Sequence, residues 1–176
     1  YGPLFTLALD RGRLVPGNIG KAFIGQVYGQ GEAAMAGDER FATAAGTSET
    51  VRTHLLERIY EAHCGMQDRA SLAPMLSIQL AKDASMAQAL VANTPSLLIA
   101  GGEHARRDTG VPDHVVRRDA TGTRLVIQLL EADGDATDIA AMIAAAGPAD
   151  FYWVTPATAA KDYCAGVTGR AAGKKQ

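Results

Sequence analysis

Apolar positions recur at helical spacing through the first ninety residues and then give way to short unbroken apolar runs. In PLFTLALDR, residues 3–11, Leu4, Leu7 and Ala8 share a face, behind a proline suited to a first helical position and ahead of Gly12. The following RLVPGN reads as a short strand ending in a turn. Residues 19–46 are rich in Gly and Ala, with Phe23, Ile24, Val27 and Tyr28 as larger anchors. They predict short helices and a mobile loop near Gly37-Asp38. From Ser48 the pattern firms up. Val51, Leu55, Ile59 and Ala62 mark a helix that Ser48 can cap and Gly65 can end. A second long helix is expected from Ser71 to Ala92, with Leu76, Leu80, Ala87 and Leu90 as its inward stripe, broken by Thr94-Pro95.

Three apolar runs then read as strands: Ser96–Ala100, Arg124–Leu130 and Phe151–Val154. The second is nearly continuous, as in a strand covered on both faces. Between the last two, Ala136–Ala145 predicts an alanine-rich helix ended by Gly147-Pro148. Helices alternating with buried strands indicate an α/β fold with a mainly parallel sheet flanked by helices. We expect one domain over 1–160 and a C-terminal tail over 161–176, where Arg170, Lys174 and Lys175 sit among Ala and Gly.

Composition narrows the function classes. The chain has 176 residues, 47% apolar and 20% charged, which is enough for one domain with a real core. A net charge of -2 argues against nucleic acid, which requires a basic face. No run approaches the roughly 20 apolar residues of a membrane span, and no signal peptide is visible. The chain opens at Tyr1 rather than methionine and runs straight into an apolar element, so a natural amino terminus further upstream is expected. Cys64 and Cys164 are too few for a disulfide framework and form no CxxC pair; two buried thiols are expected.

The densest chemistry lies in IAGGEHARRDTGVPDHV, residues 99–115. In open α/β sheets ligands gather beyond the carboxyl ends of strands. Gly101-Gly102 would let the backbone turn there and release Glu103 and His104 into a crevice. The alternative is a solvated loop holding only an Arg–Asp ion pair. The stretch is neither GxGxxG nor GxxxxGK[ST], so nucleotide binding has little support. His63, beside the buried stripe of the first long helix, fits either a satisfied core histidine or a ligand. Gln79, Asp83, Met86 and Leu90 share one helix face. A buried Gln and Asp need partners, and a network tying this helix to the strand-end loop would supply them. His63, Gln79 and Asp83 are therefore expected near one another. HExxH, GxSxG and Cys–His signatures are absent from the sequence. A metal site of His63, Asp83 and His104 would need the fold to assemble it.

AHCG, QLAKDASMA and LLIAGGEHARRDTGVP, in that order and spacing, resemble the ChaN family of haem-binding uptake lipoproteins. That family lies in a superfamily with Tiki/TraB proteins and erythromycin esterases. The opening YGPLFTLALDRG with RLVPGN is similar to the family's Tyr-x-Pro helix and the strand after it, and the likeness runs from residue 1 to about 155. The resemblance implies an α/β fold with a helical insertion, haem binding in bacterial iron acquisition, and a homodimer that shares haem. It also implies a cell-envelope location through an N-terminal lipid anchor. By motif it assigns cofactor binding to His104 and His63, with Tyr1 from the Tyr-x-Pro helix. Gln79, Asp83 and Met86 match the family's Gln…Asp…Met helix. Haem chemistry adds Arg106 and Arg107 as partners for propionates. Tyr1, Tyr28, Tyr60, Tyr152 and Tyr163 all stay open as iron ligands, with Tyr152 expected in a core strand.

The chain departs from that pattern in two places. The Gly-Glu-x-His segment that family members carry upstream of the Tyr-x-Pro helix is missing, so half the expected site would lie outside this sequence. The loop also carries Gly102-Glu103 where Gly-Asn-Gly-His is common, which places a carboxylate beside His104. A metal-dependent or Glu/His-based hydrolase of the same superfamily is the alternative to haem binding, and an envelope interaction module with a vestigial pocket is a third reading.

Overall fold

A computed structural model of the chain describes residues 2–132, 138–157 and 162–165. Seven α-helices are seen among them: α1 Gly2–Arg11, α2 Lys21–Gln30, α3 Glu49–Ala62, α4 Ala73–Ala92, α5 Gly102–Ala105, α6 Val111–Arg118 and α7 Ile139–Ala146. Strands β1 Ile127–Glu131 and β2 Phe151–Thr155 pair in parallel, with Ile127 opposite Phe151 and Leu129 opposite Trp153. The mixed α/β composition agrees with the sequence, but the mainly parallel sheet is overstated. Among the described residues the sheet has two strands and helices predominate.

The long helices form for the expected reasons. Ser48 accepts a hydrogen bond from the backbone N–H of Val51 and starts α3, which ends at Ala62. Asp68 likewise caps a 3-10 turn over Arg69–Leu72, which leads into α4 with Pro74 in its first turn. The chain doubles back here, since Arg69 bonds Glu57 and lies 3.7 Å over the ring of Tyr60. Leu80 and Ala87 on α4 are buried as predicted, while Leu76 and Leu90 are half-buried.

Helix α4 is the axis of the molecule, with a core on each side. The first joins Leu80, Ala81 and Ala84 to Val27 of α2, Leu55 of α3, and Ile19, Met35 and Phe41. Phe23 and Phe41 stack 4.9 Å apart within it. The Gly/Ala-rich stretch is helical as expected, and at Gly37-Asp38 it makes a turn in which Asp38 caps a 3-10 helix over Glu39–Phe41. The second core joins Met86 and Ala87 to Val111 of α6, with Leu90, Leu98, Ala100 and Val115 packed around it.

Several local expectations fail. RLVPGN is not a strand; it runs along α4, where Ser85 donates to the carbonyl of Gly17 and Gly17 packs on Met86. Ser96–Ala100 joins no ladder. Helix α1 forms, but none of its residues is buried, so Leu4 and Leu7 lie open. The strand Arg124–Leu130 was read as covered on both faces. Instead the run alternates: Val126, just before β1, and Gln128 within it are buried, and Leu129 is 73% exposed beside Trp153 at 66%. A continuous apolar run cannot distinguish these cases, because outward positions stay apolar where a sheet face is uncovered.

The cysteines also differ from expectation. Cys64 and Cys164 form a disulfide rather than two buried thiols, with Cα atoms 5.6 Å apart. A separation of a hundred residues hid this from the sequence, since pairing depends on tertiary approach alone. Part of the 161–176 tail is thereby fastened to the turn after α3.

Helix α6 is locked to the Gly/Ala-rich stretch by His114, which is fully buried, with Nδ1 2.7 Å from Thr43 Oγ1. Burial pushes its imidazole down to about 3 from an ordinary 6.5, and the Arg117 and Arg118 charges add to the effect. The unfolded chain therefore takes up a proton below pH 6.5 that the native state refuses. This contribution to stability is whole above about pH 6.5 and fades toward pH 3, by about 1.4 kcal/mol per pH unit. Urea midpoints measured from pH 7 to pH 4 should fall less steeply in His114→Gln than in the wild type; equal slopes would show that His114 is not the group responsible.

Candidate functional site

The site grows from one buried carboxylate. Asp83 lies in the middle of α4 at 0% exposure, on the face that also carries Gln79. His104, one turn into α5, brings Nδ1 to 2.5 Å from Asp83 Oδ1. Gln79 Nε2 lies 3.2 Å from Asp83 Oδ2 and 3.0 Å from His104 Nδ1. Burial pushes the Asp83 carboxyl up, against the hydrogen bonds from His104 and Gln79 that favour its ionised form. The contact between Oδ1 and Nδ1 needs a hydrogen on one of the two atoms. With it on the carboxyl, Nδ1 is the acceptor and Nε2 carries the ring proton; with it on Nδ1, Nδ1 donates to Asp83 and Nε2 holds the lone pair. The His104 side chain is 23% exposed.

Several neighbours place α5. Gln128, on the inward face of β1, donates to the carbonyl of Gly102 at 3.3 Å. Gly110 packs so closely that a Cβ there would overlap the carbonyl oxygens of Glu103 and His104. From α3, Arg58 Nε donates to Glu103 Oε1 at 2.9 Å, and His54 Nε2 faces Glu103 Oε2 at 3.7 Å. These last two atoms are both buried and have no hydrogen-bond partner.

The predicted residues part company here. His104, Asp83 and Gln79 converge as the shared helix face required. His63 does not join them. It caps the end of α3 and bonds the carbonyl of Ile59 at 2.7 Å. The α3 histidine that reaches the site is His54, nine residues or about 13 Å earlier along the helix. His54 and Arg58 were missed, although their spacing of four places both on one face of α3. The Arg106 guanidinium is buried and engaged: Nε and NH2 bond Asp108, and NH1 donates to Ala146 O at 3.2 Å at the end of α7. Arg107 is exposed and pairs with Asp150 at 2.8 Å. Tyr152 donates to Gly147 O from the inner side of β2. Tyr1 lies outside the described residues. Among the described residues no three or more His, Cys, Asp or Glu side chains are grouped to hold a metal ion, and no helix is long and apolar enough to cross a membrane.

Imidazole is a donor type that haem iron accepts, and a histidine whose Nδ1 is held by a carboxylate is a usual form of an iron- or zinc-ligating imidazole. A family model described as haem-binding uptake, Tiki superfamily, ChaN matches residues 1–115. Searches of curated proteins and of solved structures give no match.

The close fit of Gly110 can be tested directly. Gly110→Ala should lower the urea midpoint by the equivalent of ~1–3 kcal/mol, as overpacking does, because α5 must move off its seat. A midpoint equal to the wild type would mean that the helix carrying His104 is not held by this contact.

Proposed function

The chain belongs to the ChaN, haem-binding uptake family of the Tiki superfamily, and from that premise we propose that it binds haem with His104 Nε2 as an iron donor. The observation that carries this reading is the Asp83–His104 pair, at 2.5 Å, with Gln79 beside it. Asp83 fixes the ring through Nδ1 and makes Nε2 a better donor when iron takes its lone pair. Of the two arginines proposed for the propionates, Arg107 is the better placed. Its guanidinium is exposed on the same loop, whereas the donors of Arg106 are engaged in holding Asp108 and the end of α7. Bound haem would supply the iron and an apolar ring; the chain supplies the nitrogen, its orientation and a cation for a carboxylate.

A role in bacterial iron acquisition, as a lipoprotein of the cell envelope, completes the proposal. The Cys64–Cys164 disulfide supports an oxidising compartment. The lipid anchor and the homodimer rest on the family resemblance alone. The metal-dependent or Glu/His-based hydrolase alternative rests on the superfamily resemblance alone.

Haemin titrations followed at the Soret band test the reading. His104→Ala should weaken binding by more than the ~10–100-fold that loss of an outer partner costs. Arg107→Ala should cost about tenfold, or ~1.4 kcal/mol, and Arg106→Ala should lower stability rather than affinity. Affinities equal to wild type in both His104→Ala and Arg107→Ala would remove this loop from the haem site.

A further inference from the structure

Glu103, which precedes His104 in α5, is held from α3 at one oxygen only. Arg58 Nε donates to Oε1 at 2.9 Å, a charge-assisted bond between the two helices. The other oxygen, Oε2, faces His54 Nε2 at 3.7 Å, beyond hydrogen-bond length. Both facing atoms are shielded from water and neither has a hydrogen-bond partner, although the two side chains are part-exposed. A carboxylate oxygen and a ring nitrogen placed in this way form an unfinished contact, and leaving them so is costly. The neutral ring offers that oxygen at most a dipole; the imidazolium offers a donor together with a full positive charge.

The charges that face His54 from other elements are negative. Glu103 approaches from α5 and Asp108 from the loop after it. Arg58, one turn along α3, is already bonded to Glu103 and Glu61. Burial acts to raise the Asp108 carboxyl, but Arg106 and, more weakly, His54 bring it below its ordinary value. Arg106 is in turn committed to Asp108. Imidazole is the side chain whose charge ordinarily changes between about pH 5 and 8, so acid can complete this contact. Helix α5 is only four residues long, and a pull on Glu103 therefore acts on its neighbour His104. With His104 tied to Asp83 of α4 and Glu103 tied to α3, the short helix is held between the two long ones.

We propose that His54 is a positioning residue for the His104 site: on taking up a proton it closes on Glu103 Oε2, clamps α5 to α3 and strengthens ligand binding at His104. This rests on the reading that His104 binds haem iron, but the clamp belongs to the free protein and can be measured without haem. Its direction is set by ordering. With both oxygens of Glu103 matched, α5 has less freedom to lose when a ligand arrives, and preorganisation raises affinity. Protonation of His104 itself acts against binding, so the effect of His54 is read as a ratio of affinities between proteins that share His104.

Two measurements at pH 6 and pH 8 test the clamp. A double-mutant cycle of His54→Gln and Glu103→Gln, read from urea midpoints of the free protein, should show a favourable coupling at pH 6 that is absent at pH 8. In haemin titrations, the ratio of wild-type to His54→Gln affinity should be about threefold higher at pH 6 than at pH 8, the scale of a part-exposed ion pair. A merely structural role for His54 would move both quantities equally at the two pH values. If His54→Gln does not match the wild-type circular dichroism spectrum, His54→Asn takes its place in both arms. The proposal is overturned by a coupling that is the same at both pH values, or by an affinity ratio that does not change. Haemin binding by wild type without a pH-dependent coupling would remove the clamp and leave the His104 reading standing. A pH-dependent coupling in a protein that binds no haemin would remove the His104 reading, and with it the role given to the clamp.

Discussion

A carboxyl group withdrawn entirely from water must find partners inside the protein, and in this chain that requirement falls on Asp83. Leaving such a group without hydrogen bonds would cost a few kcal/mol or more. Gln79 can satisfy one oxygen from a turn away on α4, but the other must be met from outside the helix, and among the described residues His104 meets it. The strand-end loop is therefore bound to the central helix by a polar contact as well as by packing. Much of the surrounding design serves that contact. Gln128 holds Gly102, Gly110 lets α5 settle against its own loop, and Arg58 steadies Glu103 from α3. The same contact bears on the chemistry of His104, because Nε2 has a lone pair to offer when Nδ1 is the donor to Asp83.

How far the sequence revealed this depends on which interactions were local. The spacing of Gln79 and Asp83 placed them on one face of a helix, and burial on that face demanded a partner, so the network with His104 could be foreseen. The cap of α3 was equally legible, since Ser48 acts within three residues. His54 was overlooked because a lone histidine inside a helix carries no signal until its neighbour across the fold is known. His63 was placed in the wrong group for a related reason. Adjacent helices share a boundary, but the doubling-back of the chain sets the middle of α3, and not its end, beside the site.

The sheet and the cysteines were misread for different physical reasons. Apolar runs at 96–100 and 124–130 gave no indication of how many strands pair or which faces are covered, because both depend on elements distant in sequence. The outward apolar side chains Ile127, Leu129, Phe151 and Trp153 form a surface of the kind that further protein contacts bury. The arginines show the same limit at closer range. Arg106 and Arg107 are indistinguishable in sequence, yet the first caps α7 from a buried position and the second lies at the surface.

The central claim is that Asp83 governs the ligand-binding nitrogen of His104, and the isosteric substitution Asp83→Asn tests it most directly. Burial already favours the uncharged carboxyl, so a neutral amide should be accommodated with the fold intact, as a wild-type circular dichroism spectrum would show. Haemin affinity should then fall by about 10–100-fold, the usual cost of losing the partner behind a ligating histidine. A folded Asp83→Asn protein that binds haemin as tightly as its parent would contradict the account, and would leave the buried carboxylate a structural tie with no hold on the site.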